Sequence, residues 1–249
     1  MVETHISCVL LAGPFAYKFK KPVDFGFLDF STLEQRRFYC EEELRLNRRL
    51  APELYLRVVA VTGTADSPRL GGSGAPIEYC VKMRRFPRTA QLDQVLARGA
   101  LTGHLLEAFA KEIAEFHDGA EIASADVPYG NASEVGKYAL ENFTDIGSGP
   151  AEIDAGNALG SLRAWTEGQL ERHRELIAGR KRQGRVRQCH GDLHLTNMVL
   201  LEGRIVLFDG IEFNAALSFV DVMSEIAFLL MDLDVRERPD LASIFLNRY

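Results

Sequence analysis

The chain has little of what several protein classes need. Its four cysteines, Cys8, Cys40, Cys80 and Cys189, include no Cys-x-x-Cys pair. That spacing excludes the common zinc and dithiol motifs and predicts reduced, structural thiols in a cytoplasmic protein. Basic residues are in deficit: 29 Lys and Arg against 35 Asp and Glu leave a net charge of −6. No basic surface for nucleic acid is therefore expected. The apolar run Val9-Leu10-Leu11-Ala12 is too short to span a membrane. Glu3 precedes it and no Lys or Arg does, so neither a secretory leader nor a membrane partner is expected.

Several catalytic motifs are missing although some of their letters are present. Gly130-Asn131-Ala132-Ser133-Glu134-Val135-Gly136-Lys137 imitates a P-loop, but five residues separate its glycines and Tyr138 stands where Ser or Thr would bind Mg²⁺. Gly147-Ser148-Gly149 lacks the third glycine of a dinucleotide fingerprint and follows no clear strand. Ala51-Pro52-Glu53 spells a protein-kinase signature too far upstream to close an activation segment. His190 and His194 flank a predicted loop without the Glu of a zinc-protease helix.

What is present is an ordinary soluble balance. The 249 residues are 47% hydrophobic and 26% charged, enough for one domain or two closely associated lobes with a sizeable core. The organising stretch is Cys189-His190-Gly191-Asp192-Leu193-His194-Leu195-Thr196-Asn197, followed by Phe208-Asp209-Gly210. It matches the kinase pattern His-x-Asp-x-x-x-x-Asn with a following Asp-Phe-Gly, except that Gly191 replaces Arg and the triplet reads Phe-Asp-Gly. Between its parts, Met198 to Leu201 and Arg204 to Phe208 flank Glu202-Gly203, which predicts a β-hairpin. A hairpin brings Asn197 and Asp209 together with Asp192 just upstream. Phosphoryl transfer needs that convergence. One carboxylate orients a hydroxyl, and two oxygen ligands hold Mg²⁺ on nucleotide phosphates. Asp192 takes the first role, Asn197 and Asp209 the second, and His190 joins Asp192 among the catalytic residues.

The first third reads as strands around one helix. Ile6 to Leu11 and Phe15 to Lys20 are strand-like runs joined through Ala12-Gly13-Pro14. Alternation puts Lys18 and Lys20 on one face. They either protect an edge strand or bring a lysine to nucleotide phosphates. Ser31 to Leu50 reads as a helix with Ser31 and Glu34 as a capping box. Glu43 falls on its apolar face and is paired with Lys18, with Lys20 and Glu42 as alternates. Leu54 to Thr62 and Ile77 to Arg85 are strands around a loop, Gly63 to Pro76. Met83 and Arg85 lie where a hinge would present backbone groups to an adenine edge, and Pro87 ends the strand. The expected N-terminal lobe is therefore 1–87 and the helical C-terminal lobe 88–249.

Helical periodicity then dominates. Leu101 to Phe116 carries a core-facing stripe, with His117 as a C-terminal cap. Lys137 to Phe143 and Gly156 to Ile177 are further helices, and Arg172 to Arg187 a solvated helix end and loop. Asp221 opens a buried helix, as its cap or as a brace for the catalytic loop. Glu212 is either a helper at a metal or an exposed loop residue. Only twelve positions separate Asp209 from Asp221, too few for a peptide-docking segment, so a small hydroxyl compound is the expected acceptor.

These residues resemble the aminoglycoside phosphotransferase family of small-molecule kinases. His190-Gly191-Asp192-Leu193-His194 with Asn197 looks like its catalytic loop, and Asp209 matches its metal-binding aspartate. Tyr17 to Val23, Cys40 to Leu50 and Phe208 to Asn214 look closer still to a branch of bacterial phosphotransferase-like proteins often fused to a P-loop ATPase or kinase domain. The resemblance implies an α+β, two-lobed, protein-kinase-like fold. Its N-lobe would be an antiparallel sheet plus one helix, and its C-lobe mainly helical with the catalytic-loop hairpin. ATP and Mg²⁺ would be the cofactors, and a P-loop ATPase or kinase domain a partner. Two departures stand out: the Gly-rich covering loop is reduced to Ala12-Gly13-Pro14, and the family continues past the helix in which Tyr249 lies. The alternative function is a nucleotide-binding pseudokinase or regulatory module.

Overall fold

The computed structural model describes residues 1–147 and 158–249. Ser148 and Gly149 of the rejected glycine motif, and Gly156 and Asn157 of an expected helix, lie outside the described residues.

The N-terminal lobe is a six-stranded antiparallel sheet. Its strands are β1 (Val2–Glu3), β2 (Ser7–Ala12), β3 (Phe15–Lys20), β4 (Tyr55–Thr64), β5 (Ser67–Leu70) and β6 (Glu78–Arg84), in the order β1-β2-β3-β6-β4-β5. The single helix α1 (Leu33–Asn47) packs across β6 and β4. Its capping box is the expected one displaced by a residue. The Thr32 side chain accepts from the Gln35 amide, and Gln35 returns the contact, while the Ser31 amide is taken by Asp29. The expected loop from Gly63 to Pro76 contains β5, an exposed edge strand. Pro68 sits on that edge, where a missing N–H costs no ladder bond.

The C-terminal lobe holds α2 (Leu92–Ala97), α3 (Gly103–Gly119), α4 (Ala132–Gly147), α5 (Ala158–Arg182), α6 (Ala215–Ser218), α7 (Val222–Val235) and α8 (Pro239–Arg248). Strand β7 (Val186–Gln188) pairs with β10 (Phe219–Asp221), and β8 (Met198–Leu201) with β9 (Arg204–Leu207). The architecture is the expected two-lobed α+β plan: an antiparallel sheet plus one helix, then a mainly helical part that carries the hairpin. His117 is not a cap. It lies inside α3, buried, with Nδ1 2.7 Å from the Tyr249 hydroxyl. Among the described residues, no helix is long and apolar enough to cross a membrane.

The β8–β9 hairpin joins the two lobes. Its turn residues Glu202 and Gly203 both have positive φ, 49° and 79°, the geometry that a two-residue hairpin needs. Period-2 alternation sends Met198, Ile205 and Leu207 into the helical core with Leu106, Ile113 and Leu229. It sends Val199, Val206 and Phe208 into the sheet core with Tyr55, Val81 and Met83. A strand pair buried on both faces reads in sequence as continuous apolar residues.

Candidate active site

Alternation along β3 turns Lys18 and Lys20 toward α1. Lys18 Nζ donates to Glu43 Oε1 at 2.8 Å, and Lys20 Nζ donates to Glu43 Oε2 at 2.8 Å. Both lysines therefore share Glu43, while Glu42 lies outside the cluster and pairs with Arg45. Each ammonium also reaches the C-terminal lobe: Lys18 pairs with Asp209 and Lys20 with Glu212. Lys18 keeps 12% side-chain exposure and Lys20 only 1%. Glu212, read as either a metal helper or an exposed residue, is instead a buried partner of Lys20.

The charges tune one another. Burial alone would lower Lys18, but Asp209 and Glu43 raise it well above its ordinary value. Burial pushes Glu43 up, and Lys18 and Lys20 pull it down further, so it ends below the usual carboxylate range. Enclosure opposes ionisation of Asp209, yet Lys18 holds its carboxyl low. Glu212 goes the other way, because burial outweighs Lys20. Glu43, Asp209 and Glu212 outnumber the two ammonium groups, and the Asp209 carboxylate is 43% exposed.

The segment after β7 forms the second half of the site. Gly191 has φ +86°, and a Cβ there would lie 2.7 Å from the Leu217 carbonyl oxygen. The glycine that departs from the protein-kinase pattern is thus required by this backbone. The amides of His190 and Gly191 each donate to Glu225 of α7 at 3.0 Å. Asp221 acts as cap, accepting from the Met223 amide at 2.8 Å, and makes a two-pronged pair with Arg180 at 2.6 and 2.7 Å. The brace anticipated from Asp221 comes from Glu225, one helical turn later.

His190, read from the sequence as catalytic, is buried, and its ring touches backbone. Nε2 lies 2.9 Å from the Phe208 carbonyl and Nδ1 3.3 Å from the Asp192 amide. One nitrogen donates and the other accepts, which fixes the tautomer. Burial pushes its pKa down to about 4, so the ring is a neutral brace beneath the loop. Asp192 is more open, with 36% side-chain exposure. Its Oδ2 accepts from Asn197 Nδ2 at 2.8 Å, and its Oδ1 lies 3.1 Å from His194 Nε2. His194 Nδ1 in turn meets the Thr196 hydroxyl at 2.8 Å. Burial would raise Asp192, but the His194 contact leads the effects that take it below its ordinary value. The same hydrogen bond raises His194. Sequence reading gave His194 no role; its i+2 spacing from Asp192 was the available signal.

The hairpin places Asn197 beside the segment it was expected to meet. The Phe208 amide donates to the Asn197 carbonyl at 2.9 Å. Asp209 follows with φ +67°, a left-handed conformation that Asp tolerates better than most residues. Its amide donates to the Tyr55 hydroxyl at 3.0 Å, and the Gly210 amide donates to Asn47 Oδ1 at 2.8 Å.

Met83 is buried in an interior strand, paired with Ala16 on one side and Tyr55 on the other. The Arg85 amide donates to the Pro14 carbonyl at 2.9 Å, so this N–H has an internal partner. The tight β2–β3 turn, read as the joint between two strands and as a reduced covering loop, is what claims it. Phe86 instead packs edge-on against Phe208, with ring centroids 5.0 Å apart.

Oxygen donors dominate the open side of the site. Asn197 spends its amide N–H groups on Asp192, and Asp209 is half-exposed beside it. No group of three or more His, Cys, Asp or Glu side chains among the described residues could hold a metal. One carboxylate and one amide oxygen fit Mg²⁺, which keeps waters and binds phosphates, better than a metal that needs an all-protein cage.

No protein-family model matches the chain. It is 32% identical over 247 residues to uncharacterised proteins of Mycobacterium tuberculosis and Mycobacterium bovis, a match that covers 99% of this chain and 48% of theirs. The chain thus spans about half the length of the curated relatives it matches. Among solved structures, it is similar to an ethanolamine kinase of Plasmodium vivax, with a TM-score of 0.47 and 12% identity, over 94% of this chain and 61% of that one.

Proposed function

We propose that the chain is an ATP- and Mg²⁺-dependent phosphotransferase of the aminoglycoside phosphotransferase kind. It would carry the γ-phosphate to a hydroxyl of a small molecule such as an aminoglycoside, a sugar or an amino alcohol. The observation that carries this reading is that the open end of the β8–β9 hairpin holds Asp192 and Asn197 before its first strand and Asp209, joined through Lys18 to Glu43, after its second. The nucleotide would lie between lobes 1–87 and 88–249.

Lys18 has an N–H left over and a path to solvent, so it is assigned to the α and β phosphates, with Glu43 aiming it. Asn197 and Asp209 would hold Mg²⁺, which would supply charge neutralisation on the phosphates. Asp192, kept ionised by its surroundings, would accept the proton of the acceptor hydroxyl as that oxygen bonds to the γ-phosphorus and the bond from phosphorus to the β,γ-bridging oxygen breaks, with ADP as the leaving group. His190, Glu225 and Gly191 hold the Asp192 backbone in place. Most of the rate would come from positioning and electrostatics. A P-loop ATPase or kinase domain remains the partner that the sequence resemblance implies.

The test is a calorimetric titration with Mg–ATP, followed by an ATP turnover screen over sugars, aminoglycosides and amino alcohols. Asp192→Ala is expected to lower turnover by ~10²–10⁴-fold with nucleotide affinity nearly intact. Equal turnover by the variant and the wild type would remove Asp192 from its role. Binding without transfer to any acceptor would favour the regulatory-module reading, to which the spent Arg85 amide and the tight Ala12–Phe15 turn belong.

A further inference from the structure

The two lysines of β3 share one carboxylate, but they are not equivalent. Lys20 Nζ is surrounded on three sides: Glu43 Oε2 at 2.8 Å, Glu212, and the face of Phe30 with its centroid at 4.9 Å. Its side chain is 1% exposed, and that of Glu212 is 4% exposed. No direction remains from which a phosphate could reach it. Lys18 has two carboxylate partners and an open flank.

We propose that Lys20 and Glu212 are positioning residues of the nucleotide site: a buried cross-lobe ion pair that holds Glu43 and the segment after Asp209 in register, so that Lys18 alone is left to exchange Asp209 for a phosphate oxygen. The inference rests on the nucleotide-site reading above.

Stability does not explain such a pair. Two buried charges give up hydration that their mutual attraction barely returns, and an apolar pair of equal volume would serve as well. What an apolar pair cannot do is divide Glu43. Lys20 takes Oε2, so Oε1 is the oxygen that faces Lys18. Glu212 draws Lys20 from the other side, which keeps it from competing for both Glu43 oxygens. The result is two parallel bridges between β3 and the C-terminal lobe, Lys18–Asp209 and Lys20–Glu212. The first borders the open flank, so a ligand can break it. The second is sealed, so it survives the exchange and keeps α1 and the 209–212 segment where they were. Without Glu212, Lys20 would move onto Glu43, Lys18 would be pushed onto Asp209, and a phosphate would have to break a tighter pair.

Two measurements test this separately. The first is trace acetylation of the nucleotide-free protein, read lysine by lysine by mass spectrometry. Lys18 is expected to react faster than Lys20 in the wild type, and Glu212→Gln to raise Lys20 reactivity with the circular dichroism spectrum unchanged. Equal reactivity of the two lysines in the wild type, or no change at Lys20 in the variant, overturns the pairing. The second is calorimetric titration with Mg–ATP. Glu212→Gln is expected to weaken affinity by roughly tenfold, the size of coupling seen between groups in one charge network. An unchanged affinity overturns the positioning role. If Glu212→Gln does not fold, Glu212→Asp keeps the charge, shortens the reach, and is held to the same expectations at roughly two- to fourfold. Failure of the wild type to bind Mg–ATP refutes the nucleotide reading itself, and the acetylation pattern then decides the pairing alone.

Discussion

Glu225→Gln is expected to remove one component of the pH dependence of stability between about pH 5 and pH 8. The carboxylate sits 1% exposed beneath the loop that carries Asp192, holding the His190 and Gly191 amides at 3.0 Å each. Burial pushes its pKa from the ordinary 4.5 up to about 7, against the opposing pull of those two amides. Between those values the folded protein keeps a proton that the unfolded chain has lost. The group's stabilising contribution is therefore fully present below pH 4.5 and disappears as pH rises through about 7. Linkage gives a loss of about 2.5 kcal/mol from pH 5 to pH 8. Glutamine does not titrate, and it offers one oxygen to two donors, so the variant starts about 1–3 kcal/mol weaker at low pH but lacks this loss as pH rises. Urea unfolding followed by circular dichroism at four pH values and constant ionic strength measures both curves. Glu212 is also pushed up by burial and adds a slope of the same sign, whereas His190 and His117, both pushed down to about 4 by burial, add slopes of the opposite sign; these are common to both proteins, so the difference between the two is the quantity that decides. Parallel curves would refute the account of Glu225.

The remaining expectations concern the loop and the hairpin. Gly191→Ala places a Cβ 2.7 Å from the Leu217 carbonyl at φ +86° and is expected to cost about 1–3 kcal/mol in urea unfolding; an unchanged midpoint would show that the loop can relax. Leu207→Ala removes a fully buried side chain from the helical core and is expected to cost about 2–5 kcal/mol by thermal denaturation. A cost below about 1 kcal/mol would mean that the hairpin is not part of that core.

The fold was legible where period and punctuation agreed. Met198 to Leu207 reads as a hairpin because two apolar runs flank Glu-Gly, and Lys18 and Lys20 share a face because strands alternate. What stayed hidden was decided by tertiary contact. Nothing in Asp221-Val222-Met223-Ser224-Glu225 says which acid turns inward, since both lie near the start of one helix; packing chose Glu225. Glu212 reads in sequence as either a helper at a metal or an exposed loop residue because its partner, Lys20, is 192 positions away. Thr32 displaced Ser31 as cap because either hydroxyl satisfies the local rule and only Asp29, occupying the Ser31 amide, separates them. Short strands such as β7 and β10 carry too few residues for any period to show.

The segment from Phe208 to Ile211 shows why so short a connection suffices here. The Phe208 amide is held by Asn197, its carbonyl by His190, the Asp209 amide by Tyr55, the Gly210 amide by Asn47 and the Ile211 amide by the His190 carbonyl. These partners come from α1, β4, the turn at His190 and the turn just before β8, so both lobes hold the same four residues. A left-handed aspartate at φ +67° costs energy and persists only where its surroundings over-determine it; five backbone hydrogen bonds on four residues do so. A segment tied in this way has no slack with which to flip Asp209 out of place. Control of the site by swinging that aspartate away would require breaking bonds to both lobes at once. Any adjustment available without unfolding is the relative movement of the lobes about the β8–β9 hairpin, and the buried Lys20–Glu212 bridge opposes even that.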